Sequence, residues 1–149
     1  MSPRYLLDSN VLVYTLDARE PEKRERARAV IRGVALAGSG ALPAQALSEF
    51  SNVCLRKLEP PLTPGEAERE VERLSLAFPV LSLTAMVVME ALRGVREHSF
   101  SYYDAQVWAV ARLGQVPVVL SEDFNPGSVI GGVHFVDPFD PAFDLAALD

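Results

Sequence analysis

Cysteine is all but missing from this chain. Cys54 stands alone, so no intramolecular disulfide and no metal–thiolate cluster can form. No apolar run approaches the roughly 18 residues that a membrane-crossing helix needs. The opening Met1-Ser2-Pro3-Arg4-Tyr5 leads directly into an apolar strand pattern, without the h-region of a signal peptide. Together these absences point to the cytoplasm. Histidine is scarce: His98 lies in a polar segment and His134 in a strand pattern, and both read as surface or packing residues. There is no glycine-rich phosphate loop, no G-x-S-x-G elbow and no pair of histidines at ligand spacing. Basic charge is also in deficit, with a formal net charge of -6. That argues against a protein that coats nucleic acid through a basic surface. It leaves open an enzyme acting on phosphodiesters, because a carboxylate cluster filled by metal reverses the local sign.

What is present fits one globular domain covering residues 1–149. The 49% hydrophobic and 23% charged content is that of a soluble chain long enough to bury a sizeable core. Tyr5–Leu7 reads as a buried strand, followed by a helix carrying Val11, Leu12, Tyr14 and Leu16. A second helix is expected over Pro21–Leu36, with proline at a tolerated first position. Ala41–Pro43 reads as an edge strand, where proline is accommodated. Ala44–Leu58 is a helix with Leu47, Phe50, Cys54 and Leu58 as its stripe, which makes Cys54 a small core hydrophobe. Thr63-Pro64-Gly65-Glu66 has the form of a capping box opening a helix to Leu76. Phe78–Leu83 reads as a strand, Thr84 as the cap of the next helix, and Ser101–Leu113 as a helix. Val116–Leu120 and Val133–Val136 complete the strands. Strands alternating with helices imply a mainly parallel sheet covered on both faces, an α/β fold.

Four acids occupy positions where such a fold keeps its ligands. Asp8 and Asp123 each follow an apolar strand at its carboxyl end, the crevice side of an open α/β sheet. Glu122 neighbours Asp123, and the alternation of side chains leaves one of the two for the cleft; Asp123 is favoured. Asp104 continues the stripe of Val107, Trp108 and Ala111 at helical spacing, although Ser101 to Asp104 also fits a capping box. Glu49 lies in the first turns of its helix beside Ala46 and Val53. Carboxylates gathered in one cleft repel one another unless a cation neutralises them, and Mg²⁺ or Mn²⁺ prefers all-oxygen ligands. Such a site can activate water and stabilise the leaving oxygen of a phosphoryl displacement. Ser9, Asn10 and Ser121 are short polar neighbours suited to orient the acids. Twelve of the fourteen cations are Arg, which favours bidentate phosphate contacts. The crowd at Lys23, Arg24, Arg26, Arg28 and Arg32 reads equally as a solvated helix face balanced by Glu20, Glu22 and Glu25.

Four stretches in order, Leu6-Leu7-Asp8-Ser9-Asn10-Val11-Leu12-Val13-Tyr14, Gln45-Ala46-Leu47-Ser48-Glu49-Phe50, Tyr102-Tyr103-Asp104-Ala105 and Leu120-Ser121-Glu122-Asp123-Phe124, resemble the PIN-domain nucleases. The resemblance is closest to the VapC-like toxins of toxin–antitoxin pairs and runs from Tyr5 to about Phe139. It implies a three-layer α/β/α sandwich around a mainly parallel five-stranded sheet. It implies an Mg²⁺- or Mn²⁺-dependent endoribonuclease with Asp8, Glu49, Asp104 and Asp123 as metal ligands and catalytic residues. Attack on the phosphate would come from a metal-activated water, with no covalent enzyme intermediate. An RNA substrate, a homodimer and a cognate antitoxin are implied as partners, and the apolar residues near Met86–Leu92 are candidates for the dimer interface.

Two other acid-at-strand-end folds are demoted by named residues. A receiver domain expects an acidic pair after its first strand and a Lys near its last, yet Asp8 has no acidic neighbour and no Lys follows Lys57. A haloacid-dehalogenase-type phosphatase expects a second Asp at position 10, which is Asn. A PIN-type nuclease of RNA processing or DNA repair, and a non-catalytic interaction module, remain the alternatives. A small DNA-binding partner encoded immediately upstream would favour the toxin.

Overall fold

The computed structural model describes residues 2–148. The chain runs β1 (Tyr5–Leu7), α1 (Ser9–Tyr14), α2 (Pro21–Ala37), β2 (Gly40–Pro43), α3 (Ala44–Arg56), α4 (Pro64–Ala77), β3 (Val80–Leu81), α5 (Ala85–His98), α6 (Tyr102–Leu113), β4 (Val118–Leu120), β5 (Val129–Ile130) and β6 (Val133–Val136), and ends in a 3-10 turn, Leu145–Leu148. The strands form a six-stranded sheet in the order β3-β2-β1-β4-β6-β5. All neighbours are parallel except β5 and β6, which pair antiparallel.

Side-chain alternation along the short strands divides the core in two. Tyr5 and Leu7 of β1, Leu42 of β2 and Leu120 of β4 pack with α1, α2, α3 and the C-terminal turn. Leu6, Ala41, Val119, Val133 and Phe135 face α5 and α6 across the sheet. The second layer is tight because Gly94 of α5 lies against Trp108 of α6: a Cβ at Gly94 would sit 2.8 Å from that indole ring. The Trp108 indole N–H donates to the Ile130 carbonyl at 3.0 Å, tying α6 to the sheet's far edge.

Three expectations are corrected. The sheet has six strands rather than five: Val129–Ile130 turns through Gly131 and Gly132, both at positive φ, and adds an antiparallel edge to β6. The segment ending in Pro43 is an interior strand, hydrogen-bonded on one side to β1 and on the other to β3. Pro43 is tolerated there because it is the last residue of its strand and caps α3. β3 is only Val80–Leu81; its preceding Pro79 has no N–H and contributes a carbonyl, which accepts from Leu42 N–H.

Three of the crowded cations of α2 hold neighbouring segments rather than standing free in solvent. Arg26 donates to the carbonyls of Pro138, Asp140 and Phe143, Arg28 to that of Thr15, and Lys23 pairs with Glu122. They fasten the C-terminal segment, the end of α1 and the loop after β4 onto α2.

Candidate active site

From β1 the chain fills one side of the sheet with β2 and β3, then returns to place β4 on the other side of β1. The order reverses between β1 and β4, and ligand crevices of open α/β sheets lie beyond the carboxyl ends of the strands at such a switch point. Asp8 stands there. Its N–H extends the ladder by donating to the Leu120 carbonyl at 3.1 Å, and its carboxylate caps α1 through Ser9 N–H at 2.8 Å. Only 6% of the residue is exposed.

Short polar side chains connect Asp8 to two further acids. The Ser121 hydroxyl donates to Asp8 Oδ2 at 2.8 Å and accepts from Asn10 Nδ2 at 2.9 Å and Asp123 N–H at 3.1 Å. Asn10 Nδ2 also reaches Asp123 Oδ2 at 3.1 Å. On the opposite rim, the Ser9 hydroxyl donates to Glu49 Oε2 at 2.9 Å. Asp8 therefore forms a buried floor between two exposed acids, Glu49 and Asp123. Burial pushes its carboxyl up to about 6, against the lowering effect of the Ser121 and Ser9 hydrogen bonds, and the charges of Glu49 and Asp123 push it further the same way.

Asp104 is placed differently. It is half-buried in the first turn of α6, and among the described residues its carboxylate takes no hydrogen bond. Ser101 makes no side-chain cap, so the capping-box explanation for this acid is not realised. Its position on a stripe is less telling than the spacing implies, because Ala105 through Ala111 are all buried. What brings its turn to the same end of the sheet is a pair of amides. Gln106 Nε2 donates to Gln45 Oε1 at 2.6 Å, and Gln45 Nε2 donates to Glu49 Oε1 at 2.5 Å and to the Tyr103 carbonyl at 3.3 Å. The starts of α3 and α6, on opposite faces of the sheet, are thereby joined above β2.

Gln45 opens one of the four motif stretches, whereas Gln106 lies outside them. Gln106, 4% exposed, is the one polar residue in a buried run of α6, which is the signal that identifies it. Glu122 is drawn out of the cleft: it accepts from Tyr14 Oη at 2.5 Å and Lys23 Nζ at 2.9 Å. Lys23 also lies 4.8 Å from the Tyr14 ring centre. This triad anchors the loop that carries Asp123. His98 packs edge-on against Trp108, away from the acids, and Cys54 is buried in the core, where desolvation pushes its thiol up to about 11.

The donor chemistry suits a hard divalent cation: oxygen-only ligands, one of them buried and repelled by two like charges. Among the described residues, no three acids converge on a single ion position as the side chains stand. The spaces between them are bridged by Ser9, Asn10 and Ser121. No helix of the described residues is long and apolar enough to cross a membrane.

The chain matches the family model of the PIN domain over residues 5–127. No curated protein matches it in sequence. Among solved structures it is similar to a toxin–antitoxin complex from Klebsiella pneumoniae, with 18% identity, a TM-score of 0.62 and coverage of 90% of this chain and 97% of that one. It is similar to a protein of Pyrobaculum aerophilum at 21% identity and a TM-score of 0.60, covering 99% and 90%. It is also similar to the sarcin–ricin loop cleaving toxin VapC20 of Mycobacterium tuberculosis, at 18% identity and a TM-score of 0.56, covering 80% and 89%. The matched segment contains β1, β4 and every acid of the crevice between them: this chain belongs to the PIN-domain family.

Proposed function

We propose that the protein is a divalent-metal-dependent endoribonuclease acting in the cytoplasm as the toxin of a toxin–antitoxin pair. The observation that carries this reading is the Asp8–Ser121–Asn10–Asp123 network at the β1/β4 switch point, with Glu49 joined to it through Ser9. Asp8, Glu49, Asp104 and Asp123 are the residues that would hold Mg²⁺ or Mn²⁺. When bound, such an ion lowers the pKa of a water and neutralises the leaving oxygen of an in-line phosphodiester displacement. The chain's own contribution is orientation. Ser121 and Ser9 N–H fix the Asp8 carboxylate, Gln45 and Ser9 hold the two oxygens of Glu49, and Asn10 aims Asp123. The Tyr14–Lys23–Glu122 triad keeps the Asp123 loop in place, so Asp8, Glu49 and Asp123 are each held at the crevice before substrate arrives.

The toxin role is supported by similarity to a toxin–antitoxin complex and to a sarcin–ricin loop cleaving toxin, and an antitoxin is the partner it calls for. The exposed face of α5, with Met86 and Met89 at 70% and 68% exposure, is the surface for a second copy of the chain.

The test is incubation of purified, partner-free protein with a panel of structured RNAs in Mg²⁺, in Mn²⁺ and in chelator, beside Asp104→Asn. Cutting at few positions, dependent on metal and absent from the variant, is expected. Cutting that persists in chelator or in Asp104→Asn would refute the site, and failure to cut any RNA would refute the activity.

A further inference from the structure

Next to the acids, bordered by the Gln106–Gln45–Glu49 chain, a groove of about 550 Å³ opens between the starts of α3 and α6 and the loop leading into α5. That volume lies within the range of small-molecule sites, roughly 300–1,000 Å³. Glu49 forms one end. Ala44 and Leu83 give it apolar surface, and Tyr103 stands on its rim with Gln106 at its floor. Three details make this more than a dent. Tyr103 is 67% exposed, yet its ring is braced edge-on by Tyr102 at a centroid distance of 5.3 Å. Leu83 is likewise exposed and belongs to a segment fixed by the Thr84 cap of α5. Gln106 spends its amide nitrogen on Gln45, while among the described residues no donor reaches its Oε1. A deeply buried side chain thus presents an unused acceptor to the groove.

We propose that this groove is a nucleobase subsite: it takes one unpaired base of the substrate, adjacent to the phosphate cut at the acids, and Tyr103 stacks on that base. The inference rests on the nuclease reading and deepens it. An aromatic face beside an apolar side chain holds any base by stacking, and a free amide oxygen on the floor accepts from a base edge. A base can enter only when it is out of a helix, so the site selects loops, bulges or ends over paired RNA. The Gln106–Gln45–Glu49 chain connects the floor directly to one of the acids, so a seated base sets the register of the neighbouring phosphate.

The experiment compares wild type, Tyr103→Phe and Tyr103→Ala on an RNA that the wild type cuts. The same RNA is also tested with an abasic residue at each nucleotide flanking the cut. Stacking on an aromatic side chain corresponds to a loss of about 5- to 150-fold on truncation to alanine. Tyr103→Ala is expected to lower kcat/KM by that factor, mostly through KM, while Tyr103→Phe cuts at the wild-type rate. One abasic position should impair the wild type to a similar degree and add nothing in Tyr103→Ala. Tyr103 is exposed, so melting temperatures should match across the set. Unchanged kcat/KM in Tyr103→Ala overturns the subsite, as do independent, multiplicative losses from the variant and the abasic residue. If Tyr103→Ala keeps full cutting but escapes inhibition by a protein partner, the groove docks protein and the subsite is refuted. If the wild type cuts no RNA at all, the nuclease reading itself fails and the subsite falls with it.

Discussion

Replacing Asp8 by Asn is expected to abolish cleavage and to make the metal-free protein more stable. In the folded chain the Asp8 carboxyl is raised to about 6 by burial, from an ordinary value of 3.8. The folded protein therefore binds more protons than the unfolded chain between those two values, and stability falls as pH rises through that window. At pH 7 the ionised, buried Asp8 costs about 3 kcal/mol, two units at roughly 1.4 kcal/mol each. Asn removes the charge but offers one acceptor oxygen where Asp8 uses two, for Ser9 N–H and the Ser121 hydroxyl. One lost hydrogen bond costs about 1 kcal/mol, leaving a net gain of about 2 kcal/mol. For a chain of this size that raises Tm by about 4–8 °C. The assay is thermal unfolding in chelator at pH 7 and again near pH 3, below both values, where Asp8 is largely protonated in both states and the gain should vanish. Equal or lower Tm for Asp8→Asn at pH 7, or a gain independent of pH, would refute the electrostatic reasoning. Adding Mn²⁺ should then stabilise the wild type and leave the variant unmoved.

Asp104→Asn should lose cleavage with Tm within about 2 °C of wild type, since the half-buried carboxylate takes no hydrogen bond that the amide would break; normal cutting would remove Asp104 from the site. Gly94→Val should destabilise by several kcal/mol, roughly 3 or more, because its Cβ would sit 2.8 Å from Trp108 in a layer with no room to move. Chemical denaturation checks this, and a loss under about 1 kcal/mol would contradict the packing. Met89→Glu, on the exposed face of α5, should shift a dimer toward monomer in sedimentation velocity without lowering Tm of the monomer; an unchanged dimer would place the interface elsewhere.

The central strands were readable from the chain because they carry their own markers: Tyr5–Leu7 and Val118–Leu120 are apolar runs that stop at polar residues. Less legible are features in which one residue has to stand for a neighbourhood. Pro43 suggested an edge, but a proline at the last position of a strand withholds only one N–H, and β2 pairs on both sides. β5 is two residues long, too short for any alternation to show. Asp104 was picked out by its stripe, yet α6 is buried around most of its circumference, so the stripe carried little information. Arg26 and Arg28 look like surface charge in the sequence, whereas in the fold they donate to backbone carbonyls distant in sequence. Gln106 was legible in principle, as a lone amide in an apolar helix, but its partner Gln45 is 61 residues away and local spacing cannot supply such a pairing.

The bond between Ser121 and Asp8 joins residues 113 positions apart, and this has a consequence for how the protein is born. On a ribosome, Asp8 leaves the exit tunnel before β4 and waits. The strand that must lie beside it emerges only after β2, β3 and α2 to α6, and β6 must follow before β4 is covered on its other side. Contacts of such separation form late and slowly. Until β4 and β6 are in place, the nascent chain carries Asp8 and Glu49 without the crevice that joins them to Asp123.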